Sequence, residues 1–425
     1  MRDQMGDHSG CSTPSRHSAR TSRSEPTIES PRGLKPAARV CAVAALAALL
    51  TTGCHLGARR GGYGPQGDEP IRAVWVTRWD YKTPGEIARV MQNCKSAGFN
   101  TVLFQVRGNG TAMYRSRLEP WAEELGGRDP GFDPLAVACE EAHRRGMGLH
   151  AWVNVIPGWR GKGPPTDRRQ LYWTKPQWFW HDAAGRREPL GWYNNLNPCY
   201  PEVKQYLVAV MREIVERYSV DGLHMDYVRF PNDVATTDYP RDPRTLNLFR
   251  RATGKAPDAA PQAWDAWRAE QITQLVRGIR GMMRSVRPSA YLTAAVGAEP
   301  ADSQRRHFQD SRRWLADGLL DRVFPMNYAD DMSTFAKRAH EWSALRTRIP
   351  VVSGIMFDKR DGRTVIQQID LARRTGRHFA AFAYNSLFER FDKQGRPIMD
   401  EQSASRAALR REVLPQVARL AASSM

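Results

Sequence analysis

The stretch Val220–Pro231, V-D-G-L-H-M-D-Y-V-R-F-P, carries two carboxylates, Asp221 and Asp226, at the two ends of a short apolar run. A carboxylate beside the anomeric carbon of a sugar can attack it or activate a water, while a second carboxyl across the bond protonates the leaving oxygen. Asp226 stands where the apolar run stops, so it belongs at the C-terminal end of a strand. Asp221 precedes the run and reads equally well as a cap or an ion-pair partner. Similar residues follow the other apolar runs of the chain. Arg78, Trp79 and Asp80 follow the first; Gln105, Arg107 and Asn109 belong to the second; His150, Trp152 and Asn154 to the third. Tyr227 and Arg229 come directly after Asp226. Glu299 and Asp302 follow the fifth run, and Asn327, Tyr328, Asp330 and Asp331 the sixth. Asp358 follows the seventh, and Tyr384, Asn385 and Ser386 end the eighth. Carboxylates, amides, guanidinia and rings gathered on one face make a cleft that hydrogen-bonds hydroxyls and stacks on the flat faces of pyranoses. The indoles of Trp152, Trp159 and Trp192 suit that stacking. His150 alone reads equally well as a core histidine.

The elements that must position these residues alternate from Pro70 onward. Strands are expected at Ile71–Val76, Thr101–Val106, Leu149–Asn154, Gly222–Asp226, Tyr291–Val296, Asp321–Met326, Val351–Met356 and Phe379–Tyr384. Helical patterns lie between them: Pro84–Ala97, Pro134–Arg145, Pro201–Tyr218, Trp264–Arg287, 303–317, Ser333–Arg346 and Thr364–Thr375. A last amphipathic helix runs over about Ser403–Leu420. Pro at a first turn and Gly just beyond an end mark several of these boundaries. Eight short apolar strands, each followed by a helix, predict an α/β fold, the (β/α)8 TIM barrel, with long loops on the catalytic face. The longest loop, 155–200, is dense in Trp, Gly and Pro. A doubly wound open sheet would more often show a Gly-rich first turn.

The chain has 425 residues, 41% of them hydrophobic, and a formal charge of +18. The excess is spread along the body and suits an anionic setting such as a cell envelope. It forms no known nucleic-acid module. No zinc-type Cys/His spacing and no phosphate-loop glycine motif occurs, so no metal and no cofactor is implied. His150, His224 and Asp226 could be imagined around a metal, but no compact ligand motif supports it. Six cysteines suggest no disulfide framework, and Cys94 and Cys139 lie in helical runs as buried thiols. Residues 1–54 read as an export segment. A Ser-, Arg- and Pro-rich stretch leads to Lys35 and Arg39, then to Val40–Leu50, an apolar run too short to span a bilayer well. Thr51-Thr52-Gly53-Cys54 is like a bacterial lipobox, with Cys54 as the lipidation site. Residues 55–69 form a Gly-rich tether and 70–425 the barrel. The expected location is the bacterial cell envelope, exported and membrane-anchored.

Several motifs together resemble those of the glycosyl-hydrolase-like family 10 proteins, bacterial TIM-barrel proteins that include exported lipoproteins. They are R-A-V-W-V at 72–76, A-G-F-N-T-V-L-F-Q-V-R at 97–107, Y-R-S-R-L-E-P-W at 114–121 and D-P-L at 133–135. H-R-R-G-M-G-L-H-A-W-V-N at 143–154, N-P-C-Y-P-E-V at 197–203 and D-G-L-H-M-D-Y-V-R-F-P at 221–231 complete the set. The resemblance covers roughly residues 70–390. It implies a glycosidase acting on a bacterial glycan; some relatives act on peptidoglycan strands stripped of stem peptides. Where the family often has P-Q-x-Y-W after strand six, this chain has Phe324-Pro325-Met326-Asn327-Tyr328-Ala329. At matching positions Gln105, Arg107, His150, Trp152, Asn154 and Asp226 belong to the implied cleft. Asp226 is expected as a catalytic carboxylate, with Asp331 and Glu299 as partners ahead of Asp330. Tyr227, Arg229, Asn327, Tyr328 and Tyr384 are expected to bind substrate. A non-catalytic surface glycan-binding barrel, lacking a second carboxyl opposite Asp226, is the rival reading. A metal-dependent deacetylase or esterase on the same polymers is a third.

Overall fold

The computed structural model describes residues 62–65, 69–231, 238–345, 347–358, 360–392, 394 and 396–422. The export segment and Cys54 lie outside the described residues. Eight parallel strands run in chain order: β1 Arg72–Val76, β2 Thr101–Arg107, β3 Gly148–Asn154, β4 Gly222–Asp226, β5 Tyr291–Gly297, β6 Arg322–Met326, β7 Val352–Met356 and β8 His378–Phe382. β1 to β6 pair in sequence order, β7 pairs with β8, and β8 pairs with β1, which leaves β6 and β7 as the ends of the sheet. A parallel bridge between Val323 and Val351, with the Val323 amide donating to Pro350 O at 3.0 Å, draws β6 to β7 and brings the ends of the sheet together. The protein is a TIM barrel, as the strand pattern predicts.

The strands are buried on both faces, which explains their nearly continuous apolar runs. Helices cover the outside, several of them started by a capping side chain. In Pro84–Ser96 the Thr83 hydroxyl accepts from the Glu86 amide and Glu86 answers on the Thr83 amide, a reciprocal capping box that starts the helix. Asp133 caps Pro134–Arg144 and Asp361 caps Gly362–Gly376 in the same single-sided way. Three expected elements change. The 303–317 pattern divides into two helices, Pro300–His307 and Ser311–Ala316. Strand eight ends at Phe382, and Tyr384–Ser386 forms a 3-10 turn. The last helix breaks at Val413 into Ser403–Glu412 and Leu414–Ala422. Pro415, one residue into the second piece, has no amide to carry the ladder across the break. The long 155–200 loop contains a small antiparallel hairpin, Pro157–Arg160 with Tyr193–Asn195, which lies over the barrel mouth.

The barrel interior is a separate core of Ala73, Trp75, Leu103, Trp152, Phe324, Val352 and Ala380. Trp75 meets His224, Phe324 and Phe382 edge-on, with centroids 5.8 to 5.9 Å apart. Its indole N–H donates to His224 Nε2 at 3.1 Å, which fixes the tautomer: Nδ1 carries the proton and donates to Thr293 Oγ1 at 2.9 Å. Thr293 in turn reaches Leu223 O at 3.3 Å. Burial lowers His224 to about 3, so this chain is built on a neutral ring. Gly222 is glycine for a packing reason. A Cβ there would lie 2.7 Å from three atoms of the His150 ring on the adjacent strand.

At the N-terminal face, Asp221 does structural work. Its Oδ1 accepts from the Tyr63 amide at 2.8 Å, and its Oδ2 from Leu149 N at 2.9 Å and His143 Nε2 at 2.8 Å. Tyr63 stacks on His143 with centroids 3.9 Å apart. The described part of the tether is thus seated on the barrel floor. Polar residues at that face of a TIM barrel serve stability, in keeping with this arrangement.

Candidate active site

Strand β4 delivers Asp226 to the C-terminal mouth of the barrel, 7% exposed. The next residue, Tyr227, adopts φ 48°, a left-handed conformation that costs a bulky residue about 1–3 kcal/mol. That turn folds the Tyr227 amide back onto Asp226 Oδ1 at 2.6 Å. Arg229 Nη1 reaches the same oxygen at 3.0 Å. Among the described residues, Oδ2 has no hydrogen-bond partner. One oxygen is therefore held while the other is available to a ligand.

Asp226 lines a cleft of about 300 Å³. Its floor is apolar: Trp75, Trp152, Ala295, Met326 and Phe382. Its polar wall is a relay from strand to strand. Gln105 Oε1 accepts from the Arg78 amide at 3.1 Å and its Nε2 faces Asn154 Oδ1 at 3.3 Å. Asn154 Nδ2 donates to Gly108 O at 3.2 Å and to the Tyr193 hydroxyl at 3.3 Å. Tyr328 lies opposite. Burial, then the nearby Asp226 charge, pushes its phenol well above the usual range, so it is a standing donor. At the rim, Trp192 is 46% and Trp79 39% exposed. Arg160 lies 5.0 Å from the Trp192 ring centre and 5.5 Å from that of Trp79, and Arg78 covers Trp79 at 4.0 Å. Gly108 makes room for Arg78, since a Cβ would fall 2.4 Å from its guanidinium carbon. The lining carries three guanidinia (Arg78, Arg160 and Arg229) and, among the described residues, one carboxylate.

The structure brings together Gln105, Trp152, Asn154, Asp226, Tyr227, Arg229 and Tyr328. It places the other expected site residues elsewhere. Arg107 is fully buried, paired with Glu119 at 2.8 Å and donating to the carbonyls of Val155 and Pro157 at 3.2 Å. A register shift between Gln105 and Arg107 separates the two residues' roles, leaving Gln105 at the cleft and Arg107 in the wall behind it. His150 is buried lower in the barrel, against Tyr291. Its ionisation is suppressed by burial and by nearby Arg322 and His224. Asn327 is buried and donates to Phe335 O at 3.0 Å. Tyr384 leaves with the 3-10 turn and accepts from Asn93 at 2.9 Å. Trp159 is buried, its indole on Gly163 O. Glu299 pairs with Arg338 at 3.0 Å, and Asp331 is the exposed N-cap of Met332–Ser343, accepting from the Thr334 amide at 2.8 Å. Asp330 is exposed and pairs with Arg360. None of these three carboxylates lines the cleft. His224 spends both nitrogens on Trp75 and Thr293. The cleft residues missed by pattern are Trp75, Thr77, Met326 and Phe382, which carry no polar signal or sit inside apolar runs, and the loop pair Arg160 and Tyr193.

A TIM barrel with an aromatic, guanidinium-rich mouth around one carboxylate is the class that this fold and site define. The sequence profile described as Glycosyl hydrolase-like 10 matches residues 70–363, and the chain belongs to that family. It is 28% identical over 305 residues to the protein named Glycosyl hydrolase DigH of Escherichia coli K12, covering 62% of this chain and 66% of that one. To Glycosyl hydrolase YngK of Bacillus subtilis it is 26% identical, covering 62% and 55%. The chain thus spans less than two thirds of either relative. Its fold is that of the glycoside hydrolase domain of PgaB (BpsB) from Bordetella bronchiseptica, with a TM-score of 0.55, 15% identity, and 74% and 94% of the two chains covered. Alpha-L-fucosidase isoenzyme 2 from Paenibacillus thiaminolyticus is similar at a TM-score of 0.56 and 14% identity, covering 83% and 49%.

Proposed function

We propose that this protein is a glycoside hydrolase of a bacterial envelope or extracellular polysaccharide, with peptide-stripped peptidoglycan strands as the leading substrate. The observation that carries the reading is Asp226: a carboxylate pinned by one oxygen, with the other free at the bottom of an aromatic cleft. Its free oxygen acts on the anomeric carbon, directly or through a water. Trp79 and Trp192 hold sugar faces at the rim, while Gln105, Asn154, Tyr193 and Tyr328 meet hydroxyls. The family and the names of the relatives support carbohydrate chemistry. The basic chain and its lipobox-like Thr51-Thr52-Gly53-Cys54 support an exported protein, anchored through Cys54, that meets an anionic envelope polymer.

The test is glycan release by the purified protein and by Asp226→Asn on intact peptidoglycan, peptide-stripped strands and a panel of polysaccharides. New reducing ends that vanish in the variant are expected. A surface glycan-binding barrel is the second reading, favoured by the single carboxylate in the lining among the described residues. No turnover, with one polymer retained equally by both proteins, would establish that reading instead.

A further inference from the structure

A glycosidase needs a carboxyl proton donor as well as Asp226, and the cleft around Asp226 holds no second carboxyl among the described residues. A second hollow of about 560 Å³ adjoins it. Thr77, Trp79 and Phe382 line both, so the two are chambers of one groove divided by the Trp79 ring. Asp80 lines the second chamber. Trp75 and Thr77 at the end of β1 line the Asp226 cleft itself, so the chain from β1 to Asp80 leads directly from that cleft into the second chamber.

We propose that Asp80, in the chamber adjoining the Asp226 cleft, is the proton donor that partners Asp226, an assignment that rests on the glycosidase reading above. The carboxyl is positioned rather than loose. Its Oδ2 accepts from the Thr77 amide at 2.6 Å and the Thr77 hydroxyl at 2.9 Å. Among the described residues Oδ1 has no partner, so it can carry a proton toward the groove. The other carboxylates are otherwise committed. Glu299 and Asp331 are tied to Arg338 and the Thr334 amide, Glu124 to Arg78, and Glu188 gives both oxygens to Asn195. In the same chamber Asp400 is tied to Arg406 at 2.6 Å and Glu401 is exposed, which leaves the half-buried Asp358 as the competitor. Burial raises Asp80 to about 7 against the pull of the Thr77 hydrogen bonds and of Arg390 and Arg406, so a large share of the molecules keep that proton near neutrality. Tyr81, Cys94 and Tyr384 also feel its charge, and all three stay neutral there because burial raises them.

In the step itself, the Asp80 proton passes to the glycosidic oxygen as the C1–O bond breaks, and the bonding pair leaves with that oxygen. C1 takes a water whose proton goes to Asp226, or it takes an Asp226 oxygen and is then released as the C1–Asp226 bond breaks to a water whose proton returns to Asp80. The test compares Asp80→Asn and Asp358→Asn with the wild type, on the polysaccharide it cleaves and on the dinitrophenyl glycoside of the sugar whose C1 is released. Asn at 80 keeps an acceptor for Thr77, so the turn survives. The expected result for Asp80→Asn is a fall in kcat of about 10²–10⁴-fold on the polymer. Its alkaline limb near pH 7 should disappear, and its kcat/KM on the aryl glycoside, whose leaving group needs no proton, should be nearly unchanged. Asp358→Asn should match the wild type on both. An Asp80→Asn variant that keeps its polymer kcat, or loses both substrates equally, overturns the assignment while leaving the glycosidase reading intact. A wild type that cleaves no glycan sinks that reading and the assignment together.

Discussion

Arg107 is where family pattern and structure part most sharply, and Arg107→Met tests the structural role. The side chain and its partner Glu119 are both fully buried, at 2.8 Å. Removing the guanidinium leaves Glu119 with the Tyr206 hydroxyl at 3.1 Å as its remaining partner, and strips a donor from the carbonyls of Val155 and Pro157. Breaking a buried pair from one side costs about 3–5 kcal/mol, because the other charge stays buried. With about 2 cal/mol/K of unfolding entropy per residue, a barrel of roughly 350 residues loses about 4–7 °C of Tm for that change. The double variant Arg107→Met/Glu119→Gln should recover part of the loss, since no buried charge then remains. The assay is thermal unfolding by circular dichroism at neutral pH, run beside glycan turnover below the transition. The contrasting variant is Arg229→Met, whose pair lies at the cleft and shares Asp226 Oδ1 with the Tyr227 amide. It should lower Tm less than Arg107→Met does, since Asp226 borders the cleft and keeps the Tyr227 amide, and lower turnover strongly. An Arg107→Met protein with wild-type Tm and lost turnover would refute the structural assignment and return Arg107 to the chemistry.

Gly222→Ala should lower Tm by a few degrees and reduce turnover, because the new methyl meets the His150 ring and β4 must move to clear it, carrying Asp226 with it; unchanged turnover would mean that the ring gives way instead. Trp192→Ala should weaken glycan retention with Tm unaltered, the ring being 46% exposed at the rim, and affinity electrophoresis reads it directly. His224 is lowered from 6.5 to about 3 and His378 to about 4, so the unfolded chain binds protons that the folded one refuses. Stability from these rings is full above about pH 6.5 and falls as the pH drops toward 4. A Tm–pH profile should show this, and His224→Gln should flatten it; an equally steep profile in that variant would place the acid sensitivity elsewhere.

The fold was legible because each strand is an apolar run ended by polar residues, and several helices carry boundary residues in the sequence, as Pro84 at a first turn and Gly98 just past an end do. Asp226 was legible for the same reason: it is the residue at which an apolar run stops. Less of the remaining site could be read, because side-chain direction at a strand end depends on local backbone turns. A register shift sends Arg107 into the wall beside a cleft-facing Gln105. The residues after β6 scatter: Tyr328 turns inward, Asn327 bonds Phe335 O, and Asp331 is taken by a helix that needs a cap. Asp80 is three residues past the Thr77 that it holds, and only the turn they form together brings it to the groove. Arg160 and Tyr193 reach the mouth through a hairpin folded from a loop with no strand-like pattern.

The most direct measurement is the turnover and affinity of Asp226→Asn on one polymer that the wild type cleaves. Asparagine keeps the shape and the contact with the Tyr227 amide but cannot act on the anomeric carbon. The account predicts a loss of turnover of at least about 10³-fold with affinity for the polymer held within a few-fold. Turnover close to that of the wild type, at unchanged affinity, would contradict the placing of the chemistry at Asp226.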